Sequence, residues 1–250
     1  MSLLLPYRMR RYLAVILALL FTAGWLFINP RSYESEEVRS ETESETRNQS
    51  ERKPSKNLEN GQTERLALKV LERLETKGRA PKTNYKREQF YQNWPTIEGC
   101  SLRQRIIARE FGETKKLAED GCKVIGGKFR EPYTGKELSF ATSQEIAQGV
   151  QVDHVVALSD AWQKGAQNQT KKQRFQIATD PLNLLAVEAK ANLEKLDSDA
   201  ASWLPPNKAF RCQYVARQIA VKFKYQLWIT MAEREAMRGV LEKCPQEMLP

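Results

Sequence analysis

At 250 residues the chain has room for one large domain or two small ones around a substantial core. Its formal net charge of +9 points to a polyanionic partner, nucleic acid or an acidic membrane surface, with charge kept for solubility as the plain alternative. A single histidine, and four cysteines with no CxxC spacing, exclude the common two-His zinc patterns.

The first predicted element is apolar. "MSLLLPYRMRRYLAVILALLFTAGWLFINPRS" sets Arg8, Arg10 and Arg11 ahead of an uncharged run from Tyr12 to Ile28. That run is a little short for a bilayer span of roughly 20 residues and a little long for a signal-peptide core. Positive charge ahead of it stays on the cytoplasmic side, and no small-x-small cleavage pattern follows. Residues 1–29 therefore read as a transmembrane signal-anchor, with a cleaved signal peptide as the alternative. Either puts the remainder outside the cytoplasm, membrane-anchored or secreted. Residues 30–60, "PRSYESEEVRSETESETRNQSERKPSKNLEN", have almost no large apolar side chains to offset the entropy of ordering, and read as a disordered linker. The linker carries −2 and the three N-terminal arginines +3, so +8 of the chain's +9 belongs to residues 61–250, the predicted folded domain.

Within that domain, a helix is predicted over "TERLALKVLERLETKG" from Leu66, Leu68, Val70, Leu71 and Leu74, stopping at Gly78, and a second over "LRQRIIAREFG". "CKVIGGKF" and "KELSFAT" read as strands joined by the Pro/Gly turn "REPYTG". "VQVDHVVAL" alternates and is β-branched, hence a strand. "SDAWQKGAQ" gives a helical turn, "TKKQRFQIA" a helix, and "DPLNLLAVEAKANLEK" runs from a turn through a short apolar stretch into a helix. Thr230 and Glu233 form a capping-box pattern for a last helix ending near Lys243. The fold class is α+β, helices around a small β-hairpin. The even cysteine count suits an exported, disulfide-bonded chain. Cys100, Cys122, Cys212 and Cys244 allow three pairings; Cys100–Cys122 and Cys212–Cys244 are the local ones, each flanking a predicted helix. A structural zinc site is the lesser reading.

His154, the lone imidazole, directly follows Asp153 and is the candidate centre. Adjacent strand residues point to opposite faces, so the pair enters one site only where the strand ends or bulges. Asn183 and Asn192 follow nine residues apart, at a strand start and on a helix, with Lys195 and Asp197 just beyond. A neutral imidazole with a pKa near ~6.5 can accept a proton at physiological pH. A carboxylate and an amide carbonyl suit a hard cation.

These residues resemble a known family. "DH", "NLL" and "NLEKLD" are similar to the HNH nucleases with their ββα-metal motif. "VDHVVALSDAW", "DPLNLLAV", "WLPPN", "YKREQFYQNW", "CSLRQR" and "EPYTG" resemble its DUF1524/GmrSD C-terminal HNH-type branch, over roughly residues 84–243. The resemblance implies a ββα-metal, His-Me-finger-like core surrounded by helices. It also implies an endonuclease that hydrolyses phosphodiester bonds of DNA, or of RNA. It implies His154 as general base, Asn183 orienting the imidazole, and Asp153 with Asn192 ligating one divalent cation. Mg²⁺ is the first choice, with Mn²⁺ or another divalent ion as alternatives, and no organic cofactor is implied. Arg103 matches the family's Cys-x-x-Arg pattern; with Lys171, Lys172, Arg174 and Lys195 it is a candidate nucleic-acid contact, a solvated face being the plain alternative. The run departs from the helix pattern "NRSKGD" at Leu193, which stands for Arg, and at Leu196, which stands for Gly. Trp162 and Trp203 read as core anchors, and nothing in the spacing requires Tyr133 at the site. Two rival readings remain, a non-catalytic nucleic-acid-binding protein on the same fold and an envelope-associated basic protein.

Overall fold

The computed structural model describes residues 66–250; the expected signal-anchor and linker lie outside the described residues. Helix α1, Ala67–Arg73, is shorter than its apolar periodicity predicts. The chain leaves the helix at Leu74 because residues 75–77 find other backbone partners. Ile229 N–H donates to Glu75 O at 2.9 Å, and Lys77 N–H donates to Ile229 O at 3.0 Å.

A short ribbon of β1, Thr96–Ile97, and β2, Cys100–Ser101, leads into α2, Leu102–Phe111. Leu102, Ile106, Ile107 and Phe111 place one apolar face of α2 in the core, and Gly112 ends it at φ 51°. Strands β3, Lys116–Leu117, β4, Val124–Arg130, and β5, Glu137–Phe140, form an antiparallel sheet in that order. The β4–β5 turn is organised from within. The buried Glu131 carboxylate accepts from Tyr133 N–H at 3.0 Å and from the Thr134 hydroxyl at 2.6 Å, with Gly135 at φ 75°.

Helix α3, Ser143–Gly149, capped by Thr142, delivers the chain to β6, Val150–His154. Helices α4, Leu158–Gln163, and α5, Lys171–Thr179, intervene before β7, Leu184–Glu188. Strand β7 pairs with β6 antiparallel in unbroken register, from Val150 opposite Glu188 to His154 opposite Leu184. Helix α6, Ala189–Lys195, then folds back over both strands. Leu184 and Ala186 pack toward α2 and β4, and Leu185 and Val187 toward the last two helices, α7, Arg211–Lys224, and α8, Met231–Leu241. Both faces of β7 are therefore buried, which is why "LLAV" lacks the alternation of a half-exposed strand.

Among the described residues the architecture is thus mixed α+β, with small sheets and eight α-helices. No described helix is long and apolar enough to cross a membrane. Disulfides Cys100–Cys122 and Cys212–Cys244 close loops of 22 and 32 residues. Loops of that size stabilise a fold by about 3 kcal/mol each.

The last helix departs from its sequence pattern in an informative way. Thr230 accepts from Glu233 N–H at 3.2 Å as a cap should, but the Glu233 side chain does not return to the cap. It lies fully buried, 2.6 Å from both Lys164 and Lys222. Asp160 and Asp199 complete the cluster at 2.7 and 2.8 Å from Lys164, and Arg79 reaches Asp199 from the rim at 2.6 Å. This ionic centre ties α4, α7, α8 and the loop after α6 together.

Leu196, just past α6, adopts φ 51° and ψ −128°, a conformation natural to glycine. Its side chain is 66% exposed. Leu196→Gly is therefore expected to raise stability by about 1 kcal/mol, strain relief of about 1–3 kcal/mol outweighing the extra chain entropy of glycine. A urea titration checks this; a lowered midpoint would show the leucine unstrained.

Candidate functional site

Strand β6 ends at His154, and there Asp153 and His154 open into one cleft of about 420 Å³ despite facing opposite sides of the strand. Lys82, Tyr85, Arg87, Ser159, Asn192, Leu193, Leu196 and Asp197 also line it. A larger cleft of about 590 Å³, near Phe210, Arg217 and the C-terminal residues, contains the Glu247 carboxylate but no imidazole.

His154 is 4% exposed. Its Nε2 lies 2.9 Å from Ala178 O. A carbonyl only accepts, so Nε2 carries the proton and Nδ1 is the basic nitrogen. No described residue hydrogen-bonds Nδ1. Trp94 lies parallel to the imidazole with centroids 6.0 Å apart, and Tyr91 stands 5.9 Å away. Burial pushes the imidazole pKa down to about 3, and the Arg87 charge adds to the effect. The ring is therefore neutral at physiological pH.

Asn183 does not touch the imidazole, which corrects the expectation that it orients the ring directly. Its Oδ1 accepts from Val156 N–H at 2.8 Å, and its Nδ2 donates to Val156 O at 3.3 Å and to Ile177 O at 3.1 Å. It clasps the segment after His154 to Ile177 in the last turn of α5, where the next residue, Ala178, holds the ring. Asn183→Ala is expected to cost about 1–3 kcal/mol, because it leaves buried backbone groups unpaired. A denaturation midpoint equal to that of the unaltered chain would show the clasp dispensable.

On the other face, the Asp153 carboxylate accepts from the Tyr133 hydroxyl at 2.5 Å and from Lys195 Nζ at 3.0 Å. Lys195 also donates to His154 O at 3.0 Å. Burial pushes the Asp153 pKa up, with Lys195 and Tyr133 pulling against it. Asn192 donates its amide to Gln151 Oε1 at 2.7 Å, and its carbonyl oxygen accepts no hydrogen bond among the described residues.

The basic residues expected at a phosphate surface divide. Lys195 is fully buried against Asp153 and cannot meet a strand at the surface, which corrects that expectation. Arg174 is also corrected. Its guanidinium donates to Gln89 O at 3.0 Å and to Gln169 O, and lies 5.5 Å from the Trp162 ring centroid, so it fastens the 87–89 turn to α5. Arg103 reaches Val150 O at 3.3 Å and does not line the cleft. Lys171 and Lys172 are exposed on α5, also away from the cleft.

The cations at the cleft are others. Arg87 is exposed, hydrogen-bonds the Tyr91 hydroxyl, and has no acidic partner among the described residues. Lys82 pairs with Asp197 at 2.8 Å. The signal for Arg87 lay in "YKREQFYQNW", just as that of Tyr133 lay in "EPYTG"; Lys82 lies ahead of that stretch and had none. The scattered members of the ionic centre left no local signal.

Only one described cluster offers three ligand-type side chains close together, Cys212, Cys244 and Glu247. Its two sulfurs form a disulfide, so it has no thiolate to give a metal, and the zinc reading falls. Asp153 and Asn192 offer oxygens of the kind a hard divalent cation takes, and the Asn192 carbonyl is open. The set fits such an ion with weak charge, since Lys195 already neutralises the one carboxylate.

Fold and site together define an α+β protein with a single-histidine cleft that has the Arg87 guanidinium in its lining. The chain belongs to the family of the C-terminal domain of GmrSD restriction endonucleases, which matches residues 101–240. That membership makes it a nuclease-type domain with nucleic acid as its substrate class. A relative from Arthroderma benhamiae, called an uncharacterized secreted protein, is 34% identical over 181 residues, 71% of this chain and 84% of the relative. No solved structure matches the chain.

Proposed function

We propose that the protein is an exported HNH-type endonuclease that hydrolyses phosphodiester bonds of DNA with His154 as general base. The observation that carries this is the His154 tautomer: Nε2 bound to Ala178 O leaves Nδ1 as the basic nitrogen of a ring lining the same cleft as Arg87. In the proposed step Nδ1 takes a proton from water while the water oxygen bonds to phosphorus. The ester P–O bond on the far side breaks, and the leaving oxygen gains a proton from solvent. Arg87 meets the non-bridging oxygens. Burial does most to depress the imidazole pKa and the Arg87 charge adds to it, so a phosphate that neutralises Arg87 strengthens the base.

Asp153 and Asn192 would hold a divalent cation, Mg²⁺ first, which supplies charge stabilisation to the phosphate. In this reading β6, β7 and α6 are the ββα-metal core, residues 1–29 direct export or anchor the chain, 30–60 tether it, and 61–250 cut. The secreted relative and the two disulfides favour an extracytoplasmic place.

A second reading, a nucleic-acid-binding protein that does not cut, is favoured by the Lys195 ammonium already held on Asp153. Incubation of the full chain with plasmid DNA and Mg²⁺ or Mn²⁺, against EDTA, separates the two. Metal-dependent nicking supports the nuclease. A gel shift without nicking leaves the binding protein.

A further inference from the structure

At Leu193 and Leu196 an apolar side chain replaces the Arg and Gly of the pattern "NRSKGD", and both side chains face outward, 64% and 66% exposed. Both line the cleft that holds Asp153 and His154. Leu196 holds a strained conformation natural to glycine, and at that exposure it gains little from the core in return. Backbone strain kept at a site rim, with the side chain presented to the cleft, marks that side chain as used. The same cleft contains the half-buried Tyr85 ring, with the Lys82 ammonium 5.6 Å from its centroid, and Arg87, which has no acidic partner among the described residues. Cations for phosphate and apolar surface for something else thus share one opening.

We infer that Leu193 and Leu196 form an apolar ledge for the sugar and base of the nucleotide beside the scissile phosphate, giving a preference for strands with unpaired bases. This rests on the nucleic-acid reading of the site above. An arginine at position 193 would hold the phosphates of any strand. A leucine gains nothing from a phosphate and can only cover a sugar or a base face. In a closed duplex the base faces are stacked against one another, whereas an unpaired base offers its own.

The test is fluorescence anisotropy in EDTA with the full chain, using labelled single-stranded and duplex DNA oligonucleotides of one sequence. The single strand is expected to bind about tenfold more tightly than the duplex. The Leu193→Ser/Leu196→Gly double variant should lose most of that preference, with duplex affinity held within about twofold. Leu193→Ser alone, at an exposed position, repeats the test at about half the free-energy effect if the double variant melts early. Equal weakening on both oligonucleotides, or no change on either, would overturn the ledge. Strand preference in a chain that cuts nothing keeps the ledge and removes the nuclease; cutting without strand preference does the reverse.

Discussion

His154→Ala is expected to slow plasmid cleavage by about 10²–10⁴-fold, the range a positioned general base contributes. Affinity for uncut DNA should stay within about threefold, because the ring is only 4% exposed. The variant also strands Ala178 O, which accepts from Nε2 in the intact chain. A loss of about 1–3 kcal/mol in stability should accompany the change, so rates are to be compared below the variant's own melting range. Cleavage at the unaltered rate would end the general-base assignment and shift attention to a base elsewhere in the cleft.

The second large effect falls on stability. Glu233→Ala removes the carboxylate shared by Lys164 and Lys222, both fully buried, and leaves two ammonium groups short of charge. Breaking a buried pair in this way costs about 3–5 kcal/mol, a large fraction of the about 5–15 kcal/mol that holds a typical domain together. Urea unfolding measures it, and a loss under about 1 kcal/mol would show the centre already hydrated.

The same cluster sets an acid limit. Burial alone would raise Asp160 and Asp199, but Lys222 and Lys164 hold Asp160 below the ordinary carboxylate value, and Lys164 with Arg79 holds Asp199 well below it. In the unfolded chain both carboxyls take up protons near about pH 4, while the folded chain keeps them ionised. Their contribution is therefore complete above that pH and declines as pH falls below it. Melting temperature recorded from neutral to acid pH should drop through this window, and less steeply in Asp199→Asn.

Most local elements were legible in the sequence because each depends on a few neighbouring residues. The α2 face follows from Leu102, Ile106, Ile107 and Phe111, and the β4–β5 hairpin from the turn "REPYTG". The Asp153–His154 pair was legible too, as the sole histidine beside an acid at the end of a β-branched run. Tertiary structure alone decided what those residues touch. Helix α1 stops early because Ile229, far along the chain, pairs with residues 75–77. Glu233 leaves its cap for a buried pair with Lys164 and Lys222, since two desolvated ammonium groups bind a carboxylate more strongly than one backbone N–H does. Asn183 acts through the backbone rather than on the ring, and Lys195 turns inward to Asp153 instead of outward to phosphate. Periodicity reports which side of an element is apolar. Which polar groups meet across the interior depends on how distant segments pack, and no spacing along the chain encodes that.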